Sequence, residues 1–306
     1  MGVRLHTTSL GVVRSSLPLC RGSRQASDEV EMDKGAAQRA GRRDGPAKGT
    51  ARETVITVDI YYDIICPFSY TIKHTLEGLV ERYERAHEGV RVDLLWRPHC
   101  VIPPLERRVD KSQFYQHFER RAPGTLAILD ELGPKHGIRF SLTGSMGSSR
   151  AAHRLVQMAL RRLGPARQAD ALEALYRGHF VEGRDISDPG WLLAVGVAAG
   201  LRRGAVRSML RELGMLEPGG GGGGGSRSKD KEKEGKEDEE EEEEDDDDEE
   251  EDGEDGEDRY SVEVPPGVEI KAVPCVIIQR RYKVGGLQEA ELFEGVFEKV
   301  RTASAP

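Results

Sequence analysis

Apolar positions begin to alternate at Thr54. The run TVITVDIYYD is β-branched and aromatic, which predicts a buried strand. From Pro67 to Ala86 the period changes to that of a helix. Ile72, Leu76, Leu79, Val80 and Tyr83 share one face, and the proline stands in the first turn, where a missing N–H costs nothing. GVRVDLLWRP predicts a second strand, so the segment reads as a β-α-β unit with a right-handed parallel crossover.

A long stretch of helical periodicity follows. Candidate helices span Ser112–Glu119, Thr125–His136, Ser149–Leu163, Ala166–Phe180, Pro189–Ala199 and Arg202–Leu213, separated by Gly and Pro punctuation. Asp188 is placed to cap the helix that Pro189 opens. This predicts a subdomain of four to six helices over residues 110–216. After residue 258, VPCVII and Arg281–Val284 read as two further strands, and Glu289–Val300 as a last amphipathic helix. Elements this few and this short need a sheet to pack on, and the β-α-β unit of residues 53–109 is the obvious one. Residues 259–301 are therefore expected to complete the same domain, with 302–306 as a tail.

Two segments show neither period. Residues 1–52 are rich in Ser, Gly, Ala and Arg and are expected to be a disordered extension. Arg4, Arg14, Arg21 and Arg24 precede the first acid, Asp28, which is the composition of an organelle transit peptide as well as of a plain tail. Cytoplasmic and mitochondrial locations are both compatible with it. Residues 217–258 hold seven consecutive glycines, Gly219–Gly225, and then a Lys/Glu/Asp tract, expected to form a flexible loop inside the domain.

Charge changes the picture once that tract is separated. The 306 residues carry a net charge of -9, yet 23 of the 54 acids lie between Asp230 and Asp258 against three lysines. The remainder is basic. The tract suits a basic protein partner, or is a solvated spacer; nucleic acid is disfavoured because the tract would compete with phosphate. No stretch approaches the roughly 18 apolar residues of a membrane span, so no membrane role is expected.

Cys20, Cys66, Cys100 and Cys275 are too few for a disulfide framework and show no zinc-ligand spacing; His99 and Cys100 alone do not make a metal site. Chemistry is therefore expected from single thiols. Cys66 stands between a strand and a helix, where unpaired N–H groups and the helix dipole favour an anion, which predicts a depressed thiol pKa and a nucleophilic thiolate. An inert buried cysteine is the alternative.

YDIICPFSY, the helical stretch, AVPCVII, RYKVGG and the last helix together resemble the DsbA-like branch of the thioredoxin fold. The resemblance is to the FrnE-like oxidoreductases and their relatives, the 2-hydroxychromene-2-carboxylate isomerases and kappa-class glutathione transferases. Trp96-Arg97-Pro98, Ala152-His153-Arg154-Leu155 and the run from Phe180 to Asp188 add to it. It implies an α/β thioredoxin-like fold with a helical insertion, and Cys66 as the nucleophile. It also implies that Pro274 is the cis-proline opposite the active-site turn, with the Val273 backbone free to pair with an extended thiol substrate. Cys66-Pro67-Phe68-Ser69 departs from the family's C-P-x-C pair, since Ser69 stands where the resolving thiol would be. Monothiol chemistry is what remains, with glutathione or a protein thiol as the resolving partner and co-substrate and no tightly bound cofactor. Pro67, Phe68, Val273, Pro274 and His153 are the candidate glutathione- or substrate-binding residues, although His153 reads equally as a packing residue. Cys275 is either core or an alternative resolving thiol, and Arg184 and Asp185 read as a loop ion pair. The competing functions are a glutathione-dependent isomerase or transferase, in which Cys66 or Ser69 as catalytic residue stabilises bound glutathione thiolate, and a redox-inactive interaction protein with an acidic effector loop.

Overall fold

The structure, a computed structural model, describes residues 53–100, 105–217, 264 and 268–303, together with the backbone of a short strand at Val30–Glu31. That strand, β1, lies within the extension expected to lack order and pairs antiparallel with a later strand. The rest of the N-terminal extension, Cys20 and the Gly-rich and acidic loop from residue 218 to 258 lie outside the described residues.

β2 (Thr54–Tyr62), α1 (Pro67–Ala86) and β3 (Val90–Pro98) form the expected unit, with β2 and β3 parallel in continuous register from Thr54↔Val90 to Tyr62↔Pro98. The insertion comprises α2 (Lys111–Arg121), α3 (Thr125–Lys135), α4 (Arg150–Leu163), α5 (Pro165–Phe180), α6 (Pro189–Ala198) and α7 (Arg203–Glu212). A two-residue ladder of β4 (Val109–Asp110) and β5 (Ser145–Met146) ties its start to the middle. β6 (Cys275–Ile278), β7 (Tyr282–Gly285) and α8 (Ala290–Ala303) then return to the sheet, whose order is β1-β7-β6-β2-β3. β6 runs antiparallel to β2, so the last strands join the first across the whole insertion. Asp188 caps α6 as expected, accepting the amide hydrogens of Gly190 and Trp191.

Strand alternation sorts the side chains onto two faces. Ile56, Val58, Ile60 and Tyr62 of β2 are wholly buried and share one core with Leu76 and Leu79 of α1, Phe293 and Phe297 of α8, and Leu155, Leu172 and Leu175 of the insertion. Domain and insertion therefore share a single apolar interior. The opposite face carries a smaller cluster of Tyr61, Ile270, Cys275 and Ile277, and a buried ion pair in which Arg97 Nε donates to Asp59 Oδ1 at 2.8 Å. On the side of β3 away from β2, the Gln168 carboxamide of α5 takes the place of a further strand. It accepts from the Trp96 amide at 3.0 Å and donates to the Trp96 carbonyl at 2.7 Å. Each bond contributes about 1 kcal/mol, and leaving the two buried backbone groups unpaired would cost more.

Candidate active site

Cys66 is the N-cap of α1, with extended backbone, and Pro67 occupies the first helical position. The turn leading to it is closed by the Cys66 amide donating to the Asp63 carbonyl at 3.0 Å. Three helices of the insertion hold that turn from outside. Tyr115 of α2 donates its hydroxyl to the Ile65 carbonyl at 2.8 Å, Tyr176 of α5 donates to the Asp63 carbonyl at 3.5 Å, and His153 Nε2 of α4 accepts the Ile64 amide hydrogen at 3.0 Å. The position of Cys66 is thus set by residues far from it in sequence.

On the opposite side of the turn lies the Val273–Pro274 peptide, which is cis. The Cys66 thiol donates to the Val273 carbonyl, with Sγ 3.7 Å from the oxygen. Cys66 thus lies against the carbonyl of the cis Val273–Pro274 peptide, but the thiol is not in the expected state. Burial pushes it up to about 11, against the opposing pull of the Ser69 hydroxyl and the Ser69 and Phe68 amides. This corrects the expectation of a depressed pKa: the helix terminus is present, yet desolvation of the sulfur outweighs it.

Ser69 is completely buried, and among the described residues its Oγ makes no hydrogen bond of normal geometry, though it lies near enough to the Tyr176 hydroxyl to oppose the rise that burial gives that group's pKa. The hydroxyl nonetheless favours the Cys66 thiolate, so it is a donor whose proper acceptor is a charged sulfur. Pro67 and Phe68 are buried in the first turn of α1. Cys275 pairs with Tyr61 across the β2–β6 ladder and is buried in the smaller cluster, on the sheet face away from α1. Burial raises its thiol to about 11 as well.

His153 is 5 % exposed with both ring nitrogens engaged, Nε2 by Ile64 and Asp63 and Nδ1 by the thiol of Cys100, so it acts on the turn and not on an open cleft. Asp63, Cys100 and His153 bring three donor atoms within 4.8 Å of one another. Sequence spacing missed this group, because its members follow β2, follow β3 and sit on α4. The expected Arg184–Asp185 pair is replaced by others. Arg184 pairs with Glu182, while Asp185 pairs with Arg108 at 3.1 Å and accepts from Ser145, Gly147 and Ser187.

A mixed sheet that presents a cysteine at the N-terminus of its first long helix, faces it with a cis-proline and interrupts itself with a helical insertion is a thioredoxin-like domain of the DsbA type. The DSBA-like thioredoxin domain family matches residues 57–213, just over half of the chain, and the chain belongs to that family. Among solved structures, a probable DsbA oxidoreductase from Streptomyces coelicolor is similar at a TM-score of 0.54 and 21% identity, over 82% of this chain and 92% of its own. A 2-hydroxychromene-2-carboxylate isomerase aligns at a TM-score of 0.36 and 16% identity, over 51% and 71%. The cytosolic disulfide reductase DsbM from Pseudomonas aeruginosa, solved with GSH, aligns at 0.32 and 20%, over 52% and 81%. No curated protein matches in sequence. Among the described residues no helix is long and apolar enough to cross a membrane.

Proposed function

We propose that this chain is a monothiol thiol–disulfide oxidoreductase of the DsbA-like family, with Cys66 as nucleophile and glutathione or a protein thiol as the resolving partner. The observation that carries this reading is the orphaned Ser69 hydroxyl beside Cys66 at the mouth of α1. In the resting thiol that buried donor makes no hydrogen bond of normal geometry among the described residues. When Cys66 attacks a substrate disulfide, the substrate S–S bond breaks, one substrate thiolate leaves, and the remainder stays joined to Cys66. A second thiolate, that of glutathione or a protein, then attacks the substrate sulfur of this bond, and Cys66 departs as a thiolate. Cys66 first gives its proton to solvent, and in the attack the charge on its sulfur passes to the departing substrate thiolate, which takes up a proton in turn. In the second step negative charge develops on Cys66 Sγ, and wherever that sulfur is charged Ser69 Oγ and the Phe68 and Ser69 amides act as charge-assisted donors. Such interactions strengthen in the transition state and accelerate the step. The Val273 backbone lies opposite the sulfur, where an extended thiol substrate would pair with it.

The test is mass mapping after treatment with glutathione disulfide. A glutathione adduct on Cys66 that a second thiol releases supports the reading, and a Cys66–Cys275 disulfide in its place refutes it.

One observation favours a second reading. A thiol raised to about 11 that donates a hydrogen bond behaves as a hydroxyl would, and such a donor suits stabilisation of a bound glutathione thiolate in an isomerase or transferase. Cys66→Ser discriminates, because it abolishes disulfide exchange but spares a donor role. An acidic effector loop that binds a basic protein is compatible with either reading.

A further inference from the structure

A second thiol stands in a setting opposite to that of Cys66. Cys100, two residues past the end of β3, is exposed, and its Sγ lies 3.2 Å from Nδ1 of His153. The other ring nitrogen sits between two groups, the Ile64 amide at 3.0 Å and Asp63 Oδ1 at 3.4 Å. Unprotonated, Nε2 accepts from Ile64, which places the ring's single hydrogen on Nδ1. Protonated, Nε2 donates to Asp63, and Nδ1 keeps its hydrogen. In both states an N–H is directed at the Cys100 sulfur at 3.2 Å. Asp63, 2 % exposed, balances a charge on the ring. Against burial, Asp63 and Cys100 pull the His153 pKa upward, but the Ile64 amide directed at Nε2 at 3.0 Å needs that nitrogen unprotonated, so the ring is neutral in this structure. The neighbourhood also holds an unused donor. Tyr62, wholly buried, packs edge-on against the His153 ring at 5.5 Å; among the described residues its hydroxyl has no hydrogen-bond partner, and burial raises its pKa, with Asp63 and Cys100 adding to the rise.

The carboxylate and the thiol engage different nitrogens of one ring, so Asp63 fixes the ring that directs Nδ1–H at the Cys100 sulfur. Cys66, by contrast, gives its own hydrogen to a carbonyl, and Cys275 is packed in apolar surroundings.

We propose that Cys100, with His153 and Asp63 as positioning residues, is a second reactive thiol site that takes small disulfides of the glutathione-disulfide type. In the step, the Cys100 thiolate attacks one sulfur of the disulfide and a Cys100–glutathione S–S bond forms. The original S–S bond breaks and the second glutathione leaves as its thiolate. The Cys100 sulfur is oxidised, the departing sulfur is reduced, and it takes up the proton that Cys100 gave up. The site is distinct from the Cys66 reaction and stands whether or not that reading holds.

The experiment uses the full chain carrying Cys66→Ser, so that exchange at position 66 cannot contribute. Native and urea-unfolded protein are treated at pH 7 with glutathione disulfide and, separately, with iodoacetamide, and the Cys100 peptide is quantified by mass spectrometry over time. Native Cys100 is expected to react about tenfold faster than in the unfolded chain, and His153→Gln to lose that advantage while retaining the native circular dichroism. Native Cys100 reacting no faster than the unfolded chain overturns the proposal, as does a folded His153→Gln variant that reacts as fast as its parent. If His153→Gln does not fold, Asp63→Asn takes its place and the native-to-unfolded ratio decides alone. One zinc ion retained per native chain and lost in Cys100→Ser also overturns it, since the three residues would then be a metal centre.

Discussion

The amide of Ile64 hydrogen-bonds the imidazole of His153 across 89 residues of sequence, at 3.0 Å. Through this bond, and through Tyr115 and Tyr176, the helical insertion dictates the shape of a turn that belongs to the thioredoxin-like sheet. Tyr115→Phe removes the hydroxyl that satisfies the Ile65 carbonyl and leaves that buried oxygen without its donor. We expect a loss of about 1–2 kcal/mol in urea unfolding, accompanied by slower disulfide exchange at Cys66.

Ser69→Ala separates stability from chemistry. Deleting a buried hydroxyl that makes no hydrogen bond of normal geometry among the described residues costs the fold little, and the melting temperature should hold or rise slightly. Formation of the Cys66 mixed disulfide should slow by about tenfold, because the sulfur loses a donor that matters when charged. Equal rates in stopped exchange assays would remove Ser69 from the mechanism. Ser69→Cys should instead give an intramolecular disulfide between Cys66 and the introduced thiol, visible by peptide mapping.

Lys73, almost fully buried on α1, is held by Glu77 and Glu173, both at 2.8 Å. Burial works against the Glu173 charge, but His74, Lys73 and Tyr70 overcome it and bring its pKa to about 2. A carboxylate whose folded pKa lies below its unfolded value stabilises the fold above the unfolded pKa of about 4.3 and loses that contribution as pH falls toward 2. Denaturant midpoints measured from pH 6 to pH 2 should therefore fall more steeply for the wild type than for Glu173→Gln. At pH 7 the variant should be weaker by about 1–2 kcal/mol, since Glu173 is a third exposed and solvent screens the pair.

Replacing residues 219–258 by a short Gly/Ser link should leave the melting transition and Cys66 reactivity nearly unchanged. Val206, Met209 and Leu210 of α7 and Val276 and Ile278 of β6 belong to one core, so the ends to be joined are anchored on the same body. Loop length enters only logarithmically, at about 0.6 kcal/mol per doubling. Any salt-sensitive binding to a basic protein should vanish with the tract, and a lost melting transition would show that the segment packs on the domain.

Much of the fold was legible because it is written locally. Proline at the first position and a clean apolar stripe bound α1 at Pro67 and Ala86 on both readings, and each insertion helix lies within about two residues of its predicted limits, the usual spread at helix ends. β1 and the β4–β5 ladder were not legible, since two-residue strands are too short to show a period. At the site the same boundary holds. A cysteine at the mouth of a helix is a local fact, read from YYDIICPF. Its burial, and hence the direction of its pKa, depends on β6 and the insertion arriving from elsewhere. Asp63, Cys100 and His153 converge only after the chain has folded, so no spacing rule could have joined them.

The Gln168 clasp on Trp96 bears on how copies of this protein meet. β3 is the last strand of the sheet, and its outward N–H and C=O groups would otherwise be open to a strand from a second molecule. A glutamine from the same chain already occupies that place on both sides of residue 96. An intruding strand would have to displace two hydrogen bonds and the α5 helix that supplies them. The clasp is thus a guard against strand-by-strand self-association, built into the side of the sheet where the insertion folds over it.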